Sequence, residues 1–458
     1  MSGGSVGSRV TASERIADYV ASVDAAAASA ATLHAVGRAF LDTVAVAVAA
    51  TGDPVDAALT GYVSGSTGPA SLWAGTGSTT TEHAALVNGA VGHVLDYDDV
   101  TSPLRGHPSI ALLPALVAAA EADGADGRQL SAAYAVGFEV ICRLARACAL
   151  DHYARGWHST TTIGLLGATA AVAHLRGLPR DAVGHALGLA VAQAAGTREN
   201  FGTMAKSFQA GACGAAALRS VALAGAGMTA SPEALDGHTG GFLRLYSTPG
   251  AAAALDVELA ALGDGPGELV TSGIDVKKYP LCYATHRTID LLLDLRAEHG
   301  LTLAEVDRVQ VRANHGGLAP LLHDRPRTGL EAKFSMQFAV AAALLDGEVR
   351  LHSFDDDQVR RPEVQQFLPR VTATEQDGPA FPRWADVTLH LVDGRTVRRR
   401  STVLRGSADT PLSDDELLAK VADCFGRGGL GERTEPFADA VLGWADQSVR
   451  SVLARRLP

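Results

Sequence analysis

The chain has 458 residues, of which 47% are hydrophobic and 19% charged, so it is large enough for two domains with substantial cores. Its formal net charge of −11 argues against binding to nucleic acids or to an anionic membrane surface. The N-terminal stretch contains no hydrophobic signal segment, and no run of about 18 apolar residues is free of polar ones. We therefore expect a soluble cytoplasmic protein.

The pattern of the first 265 residues is helical. Thr11 and Glu14 form a capping-box motif, which predicts that a helix begins there. Long alanine-rich segments separated by glycine follow, and alanine has the highest helix propensity of all residues. These segments predict helices over 32–50, 82–95, 108–122, 129–150, 159–176, 181–195 and 206–226. Few segments alternate with period two, so we expect this region to be all-α.

The pattern changes near residue 268. The segment 268–280 is predicted to be extended, and alternating apolar and polar residues predict a strand over 307–314. The segment 384–403 predicts two strands joined by a turn at Asp393 and Gly394. Further helices are predicted over 285–298, 333–346, 413–425 and 436–455.

The predicted fold is therefore mainly α. Residues 1–269 and 405–458 are expected to form a large, discontinuous all-helical domain, because the last helices most simply return to the first ones. Residues 270–404 are expected to form a smaller α+β lid domain.

The sequence has no obvious cofactor cradle. Its five cysteines are scattered without a Cys-x-x-Cys pair, which argues against a disulfide framework and against zinc or iron–sulfur sites. No glycine-rich nucleotide loop is present either. Any chemistry must then come from side chains.

The segment 88–116, NGAVGHVLDYDDVTSPLRGHPSIALLPAL, concentrates charge in an alanine- and valine-rich region. It places three carboxylates within four positions and follows them with a guanidinium and an imidazole: Asp96, Asp98, Asp99, Arg105 and His107. Crowded carboxylates raise one another's pKa, and a nearby imidazole exchanges protons near neutral pH. The pattern predicts either a catalytic cluster between two helices or simple capping of their ends. His93, inside the apolar helix, is expected to be a core residue.

Two further features carry functional signals. His158 stands directly before a predicted helix whose N-terminus, with Ser159 and Thr160, is suited to bind an anion, although ordinary capping explains the same residues. Only five of the 39 basic residues are lysine, and a lysine can release a proton whereas an arginine does not. Four of the five lie at junctions between predicted elements, with chance survival as the alternative. The lysines are Lys206, Lys277, Lys278, Lys333 and Lys420, and Lys333 is expected to brace its helix.

Five segments occur in series along nearly the whole chain: NGAVGHVLDYDDV…GHPS, WHSTTTIG, GTMAKSFQAG, KKYPLCYATH and TGLEAKFSMQFAVAAALLDG. Together they resemble the MmgE/PrpD family, which includes 2-methylcitrate dehydratase, cis-aconitate decarboxylase and iminodisuccinate epimerase. The resemblance implies a helical domain with a smaller α+β lid, assembly as a homodimer, and an active site in the cleft between the domains. It also implies catalysis without a metal or an organic cofactor.

Carried over position by position, the resemblance implies five active-site residues: Asp96, His107, His158, Lys206 and Lys277. Substrate contacts are further expected from their neighbours: Arg105, Ser159, Thr160, Gln209, Lys278, Tyr279 and Cys282. The chain departs from the family pattern at Val100, where many relatives have threonine, and at Gln209, where relatives often have histidine. Cys282 replaces a histidine of the decarboxylase. The loss of two imidazoles argues against decarboxylation.

Members of the family act on small di- or tricarboxylates through a carbanion beside a carboxylate, which requires a base, an acid and fixed positive charge. His107, oriented by Asp96, is expected to move the proton, and His158 to protonate a departing hydroxyl. Lys206 and Lys277 are expected to neutralise substrate carboxylates. The leading interpretation is a 2-methylcitrate-type dehydratase, followed by an epimerase or isomerase and then a decarboxylase. A catalytically inactive helical binding dimer is the alternative outside enzymes.

Overall fold

The computed structural model describes residues 10–24 and 28–457. It begins with the predicted capping box, in which the Glu14 N–H donates to Thr11 Oγ1 at 3.2 Å and the Thr11 N–H donates to the Glu14 carboxylate at 2.7 Å. The expectation of a mainly α-helical fold is confirmed.

Twelve helices occupy the described part of the chain up to residue 271. They are α1 (Ala12–Ser22), α2 (Ala30–Ala49), α3 (Pro54–Tyr62), α4 (Thr81–Val94), α5 (Pro108–Asp123), α6 (Gly127–Ala154), α7 (Ser159–Leu175), α8 (Arg180–Val191), α9 (Met204–Gly225), α10 (Phe242–Tyr246), α11 (Ala251–Ala260) and α12 (Glu268–Thr271). Every alanine-rich helix predicted from the sequence is present, with ends that shift by up to four residues. A short hairpin of β1 (Ala70–Ser71) and β2 (Ser78–Thr79) was not predicted.

Small residues let the helices of the first core approach closely. A Cβ atom on Gly89 of α4 would lie 2.8 Å from the Gly211 Cα of α9, and one on Gly211 would lie 2.0 Å from the Leu86 carbonyl oxygen. This antiparallel contact brings the end of α4 beside the start of α9. Helix α2 is long and apolar enough to cross a membrane, but most of it is buried inside the same core.

A second core surrounds a four-stranded sheet with the strand order β4-β3-β5-β6. Strand β3 pairs in parallel with β4 and antiparallel with β5, which pairs antiparallel with β6. The strands are β3 (Val306–Asn314), β4 (Val371–Gln376), β5 (Ala385–Leu391) and β6 (Thr396–Ser401), and the helices are α13 (His286–His299), α14 (Gly329–Ala332), α15 (Met336–Asp346), α16 (Asp356–Val359) and α17 (Pro362–Phe367).

The predicted strand at 307–314 and the two strands within 384–403 are confirmed. Edge strand β4 was missed because it is mostly exposed and lacks a buried face with period two. The extended prediction for 268–280 was wrong at its start, because α12 occupies its first four residues and only the remainder is irregular.

The chain ends in helices α18 (Asp414–Arg427), α19 (Thr434–Leu442) and α20 (Val449–Ala454). The single helix predicted over 436–455 was wrong, since the chain leaves the helix at Gly443 and a new helix is capped by Ser448. Between the two helices, the Trp444 ring packs against Phe40 of α2 at 5.0 Å between centroids. Apolar side chains of all three helices therefore belong to the first core. Below, the helices around the first core (α1–α12 and α18–α20) are called the first unit, and the sheet β3–β6 with helices α13–α17 is called the second unit. The domain limits at 269 and 404, and a lid function for the second unit, stay predictions.

Candidate active site

A cavity of about 690 Å³ lies between the two cores. The first unit and the segment from 271 onward both contribute to its wall. Eight residues predicted as site residues line this cavity: Asp96, Arg105, His107, His158, Thr160, Lys206, Lys277 and Cys282.

Asp96 is the centre of the charged wall. Its carboxylate lies 2.6 Å from Lys206 Nζ and 3.2 Å from Lys277 Nζ, and Lys277 Nζ also donates to its carbonyl oxygen at 2.7 Å. The residue has a φ of 51°, a left-handed conformation that is uncommon for residues other than glycine. The two lysines thus hold a strained backbone as well as a carboxylate at the end of α4.

The fold explains why these three groups meet. The contact between α4 and α9 places Lys206, in the first turn of α9, beside the end of α4. The backbone of Val100 pairs with that of Asp275 through N–H···O bonds of 2.9 and 2.8 Å, which carries Lys277 to the other side of Asp96. Residues about one hundred and two hundred positions apart thereby form one cluster.

Burial opposes ionisation of Asp96, but Lys206 and Lys277 outweigh it and hold the pKa of its carboxyl far below the usual value. Asp96 is therefore an anion whose oxygens are committed to the lysines. It is poorly suited to accept a proton, and it offsets one of the two lysine charges.

Asp98, and not Asp96, is the carboxylate that contacts His107 most closely. Asp98 Oδ2 lies 3.1 Å from His107 Nδ1, whereas Asp96 Oδ1 lies 3.8 Å from His107 Nε2. The same Asp98 oxygen is 2.8 Å from Nδ1 of His93. Asp98 is fully buried and contacts both imidazoles through this one oxygen. The expected orientation of His107 by Asp96 alone is corrected accordingly.

His93 is a buried histidine, as expected, and is also part of the site's support. Its ring lies 4.5 Å from the His107 ring and 5.9 Å from the His158 ring, measured between centroids. Burial lowers the pKa of His93 to about 4, so the ring is neutral at physiological pH.

Asp99 has the capping role that the sequence left open. Its carboxyl accepts the backbone N–H of Ser109, in the first turn of α5, at 3.1 Å and also contacts the Ser109 hydroxyl. That hydroxyl lies 2.7 Å from the Tyr134 hydroxyl. Burial raises the pKa of Asp99 well above its usual value, so the group is protonated and structural.

The loop before α5 is fitted closely to the start of α7. The His107 N–H donates to Thr160 Oγ1 at 3.1 Å, and a Cβ atom at Gly106 would lie 2.6 Å from the same oxygen. Only glycine allows this approach. Thr160 thus positions His107, and the helix N-terminus beside it faces the cavity.

The hydrogen bonds of His158 define its tautomer. Gln209 Nε2 donates to the Thr197 carbonyl at 3.3 Å, so its Oε1 faces His158 Nδ1 at 2.9 Å and accepts a hydrogen bond from the Nδ1–H group. Burial holds the pKa of His158 well below its usual value, so the ring is neutral. Its Nε2 has no protein partner and carries a free lone pair. The role of proton donor expected for His158 stays a prediction.

Several residues predicted to contact substrate lie elsewhere. Gln209 acts through His158 and does not line the cavity, and Ser159 is buried behind it. Lys278 pairs with Glu416 at 3.2 Å, and the Tyr279 hydroxyl donates to Asp290 at 2.8 Å. Both face a different depression on the surface. The side chains of Lys277 and Lys278 point to opposite sides because adjacent residues in an extended segment alternate.

Lys333 braces two segments and not only its own helix. Its Nζ donates to the carbonyl oxygens of Leu95 and Pro280, both at 2.6 Å. Leu95 precedes Asp96, and Pro280 follows Lys277 by three positions, so this lysine ties together the two backbones that flank the site. Burial lowers the pKa of Lys333 to about 7.

One group of described residues has ligand atoms close enough for a metal ion: His93, Asp98 and His107, with all three atoms within 4.8 Å. Two of these atoms, His93 Nδ1 and Asp98 Oδ2, form a direct hydrogen bond with each other, so each already has a partner within the group. Catalysis without a metal stays a prediction, which turnover after removal of metals by a chelator would test.

Most residues that line the cavity gave no signal in the sequence. Among them are Tyr153, Arg287, Phe381 and Arg383, which come from a helix end, a helix start and a loop. Their spacing has no regular pattern, and only the tertiary fold brings them together.

The comparisons with known proteins agree with this geometry. The MmgE/PrpD N-terminal domain matches residues 14–253, and the MmgE/PrpD C-terminal domain matches residues 279–445. Cis-aconitate decarboxylase of Mus musculus is 29% identical over 354 residues, which is 74% of this chain and 70% of that protein. Cis-aconitate decarboxylase of Aspergillus terreus is 27% identical over 383 residues, 79% of this chain and 78% of that protein. With both family domains present over most of its length, the chain belongs to the MmgE/PrpD family.

Proposed function

We propose that this protein is a cofactor-independent lyase that acts on a small di- or tricarboxylate through a carbanion beside a carboxylate. The observation that carries the proposal is the wall on which two imidazoles, His107 and His158, stand next to the Asp96–Lys206–Lys277 cluster. The lysine ammoniums supply fixed positive charge where negative charge develops in the transition state. The imidazoles supply groups that move protons.

The two imidazoles have different surroundings and therefore suit different steps. His158 lines the cavity, and its buried Nε2 has no protein hydrogen-bond partner, so the ring fits the base that removes the proton beside the carboxylate. His107 has a carboxylate oxygen near each ring nitrogen, at 3.1 and 3.8 Å, so both nitrogens can carry protons. It fits the acid that protonates the departing hydroxyl. The roles expected from the sequence are thus exchanged.

Dehydration of a 2-methylcitrate-type substrate is the reaction that these two positions support. Removal of the proton by His158 leaves a carbanion, and the C–O bond then breaks as His107 gives a proton to the hydroxyl, which leaves as water. The products are an alkene and a His158 imidazolium, which returns its proton to solvent or to His107.

Decarboxylation is the second candidate, because the relatives that are similar over most of the chain are cis-aconitate decarboxylases. The two missing imidazoles do not decide against it. Gln209 still contacts His158, and Cys282 lines the cavity as a neutral thiol, since burial raises its pKa to about 11. The ammonium groups that stabilise a carbanion serve either reaction. Assembly as a homodimer in the cytoplasm, without nucleic-acid or membrane partners, also stays a prediction.

The proposal is tested by incubating the protein in D₂O with 2-methylcitrate, citrate and cis-aconitate and following proton NMR spectra. Loss of water, loss of CO₂ and exchange of the proton beside the carboxylate give different signals. We expect wild-type protein to convert at least one of these acids. Protein that neither converts nor exchanges any polycarboxylate would contradict the proposal.

Two variants separate the roles. His158→Gln is expected to lower both exchange and turnover by about 10²–10⁴-fold, because the base is missing. His107→Gln is expected to lower turnover comparably while exchange continues, because only the acid is missing. His83→Gln, on α4 but remote from the cavity, is the matched control. Exchange that survives in His158→Gln but disappears in His107→Gln would restore His107 as the base.

A further inference from the structure

We infer that the part of the cavity lined by Arg105, Arg287 and Arg383, here called its outer half, is a subsite for a second carboxylate of the substrate. The three arginines bind that carboxylate. The inference rests on the proposed function in taking the ligand to be a carboxylate. It goes beyond it in naming the residues that bind the substrate carboxylate held away from the reacting carbon.

The inner half of the cavity, around Lys206 and Lys277, does not carry enough positive charge to compensate the charge of a polyanionic substrate. Lys206 and Lys277 carry two positive charges, and Asp96 and Asp98 carry two negative ones. The His93 and His158 rings are neutral and add no positive charge here. A dicarboxylate or tricarboxylate therefore needs additional cations in the same cavity.

Three guanidiniums supply that charge. Arg105, Arg287 and Arg383 all line the main cavity and also a smaller adjoining one of about 170 Å³. They are half-buried, and none of them forms an ion pair with any residue that the structure describes. Arg287 donates to the Thr402 carbonyl at 3.1 Å and Arg383 to the His315 carbonyl at 3.0 Å, so most of their N–H groups remain available.

Aromatic rings hold two of these cations in fixed positions. The Arg105 guanidinium lies 5.5 Å from the Tyr153 ring centroid and 5.3 Å from that of Phe381, whose ring lies 4.9 Å from the Arg383 guanidinium. The rings keep the cations in place without neutralising their charge. Arg105 comes from the first unit and Arg383 from the second, so the subsite is complete only when the two units are together.

Three of the acids near the arginines accept hydrogen bonds from other groups, and Asp409, an exposed acid that also lines the cavity, forms no ion pair with the three arginines. Asp275 accepts the Ala408 N–H at 2.7 Å, and Asp290 accepts the Tyr279 hydroxyl. Glu375 accepts the N–H groups of Gly316 and Leu318 at 2.8 and 2.7 Å. The pKa of Arg383 is lowered first by burial and then by the charges of Arg105 and Arg287, which outweigh the opposing charge of Glu375. An anionic ligand relieves that repulsion.

Binding of two unreactive probes tests the subsite separately from catalysis. Glutarate carries two carboxylates, and monomethyl glutarate has nearly the same shape with one charge fewer. We expect calorimetry at constant pH and ionic strength to give a dissociation constant for the monoester on the order of tenfold above that for glutarate. Arg287→Gln and Arg383→Gln should each bring this ratio close to one, whereas Arg383→Lys should retain part of it.

Arg370→Gln is the matched control, because Arg370 also lies over an aromatic ring of the second unit, at 6.0 Å from Phe367, but lines neither cavity. Its ratio should equal that of the wild type. A wild-type ratio near one, or a ratio that the Arg287 and Arg383 variants leave unchanged while they remain folded by circular dichroism, would overturn the subsite. Diacid selectivity in a protein without turnover or exchange would instead keep the subsite and reject the proposed lyase activity.

Discussion

Two buried lysine–aspartate pairs of nearly equal geometry lie at different places in this protein. In the cavity, Lys206 Nζ lies 2.6 Å from Asp96, and in the helical core, Lys420 Nζ lies 2.6 Å from Asp42. Both pairs are almost completely removed from solvent. Lys206 and Asp96 line the cavity of about 690 Å³ that also holds His107 and His158, whereas Lys420 lines only a smaller depression of about 280 Å³ without those imidazoles. Pairing and burial therefore do not separate the two lysines, whereas the imidazoles that share the cavity with Lys206 do.

The lysine of the core pair, Lys420, also contacts the residue next to Asp96. Lys420 of α18 donates to the Tyr97 carbonyl at 2.8 Å and lies 3.9 Å from the Tyr97 ring centroid. Tyr97 follows Asp96 directly, so helix α18 supports the loop that carries the Asp96 carboxylate. The two pairs therefore differ in what the lysine contacts. Lys206 lines the cavity, where a ligand can reach its charge, whereas Lys420 stabilises the fold through Asp42 and Tyr97.

The largest expected difference is between removal of Lys206 and removal of Lys420. Lys206→Met should lower turnover by about 10²–10³-fold, because a cation facing the developing charge is lost. Its melting temperature should change little, since Lys277 still pairs with Asp96. Lys420→Met should lower the free energy of unfolding by about 3 kcal/mol, because Asp42 is left buried without a partner.

The measurements are kcat per folded molecule and thermal unfolding for both variants. Lys278→Met is the control, since Lys278 forms only a partly exposed ion pair with Glu416. If Lys206→Met unfolds as readily as Lys420→Met while the folded fraction keeps its activity, the distinction between the two pairs is wrong.

A smaller effect is expected from substitution of Asp98. It extends the comparison to two neighbouring buried aspartates, Asp98 and Asp99. Asp98→Asn should lower kcat by roughly 10–10²-fold with KM within a few-fold, because His107 loses the carboxylate that orients it while the lysines are untouched. The neighbouring Asp99→Asn is the control, because Asp99 is already protonated and caps α5. Equal kcat for the two variants would mean that Asp98 only supports the fold.

The sequence predicted the helices well and the inner site in outline. Alanine-rich periodic segments are decided by local propensity, and α4, α5, α7 and α9 accordingly appear where expected. The order of the motifs led to the residues around Asp96 that the structure brings to one cavity. No periodicity assigned separate roles to Asp96, Asp98 and Asp99, because those roles depend on partners distant in the chain.

The outer site was beyond the reach of sequence patterns for the same reason. Arg287, at the start of α13, follows the segment KKYPLCYATH directly but is not part of it, and Arg383 lies in an irregular loop far from any of the five segments. Strand β4 and the break at Gly443 were missed because tertiary contacts, and not local propensity, decide them. Functional polar residues on loops are positioned by the scaffold beneath them.

The smallest expected effect concerns stability in acid. It compares a structural histidine outside the cavity with the histidines that line it, as the lysine variants do for the two lysines. Burial lowers the pKa of His152 to about 4, and this ring lies outside the cavity, with Nδ1 2.9 Å from the Tyr246 carbonyl and Nε2 2.6 Å from Thr162 Oγ1. In the unfolded chain a histidine binds its proton near pH 6.5, so protonation favours unfolding as the pH falls from 6.5 towards 4. The stabilisation present at neutral pH is thus lost in acid, by about 2 kcal/mol at pH 5 for this one residue. Urea unfolding at about pH 7.5 and 5 should show His152→Gln losing about 2 kcal/mol less than the wild type over that interval. An equal loss in both proteins would show that His152 is protonated in the folded state, and that the structural histidines titrate no differently from exposed ones.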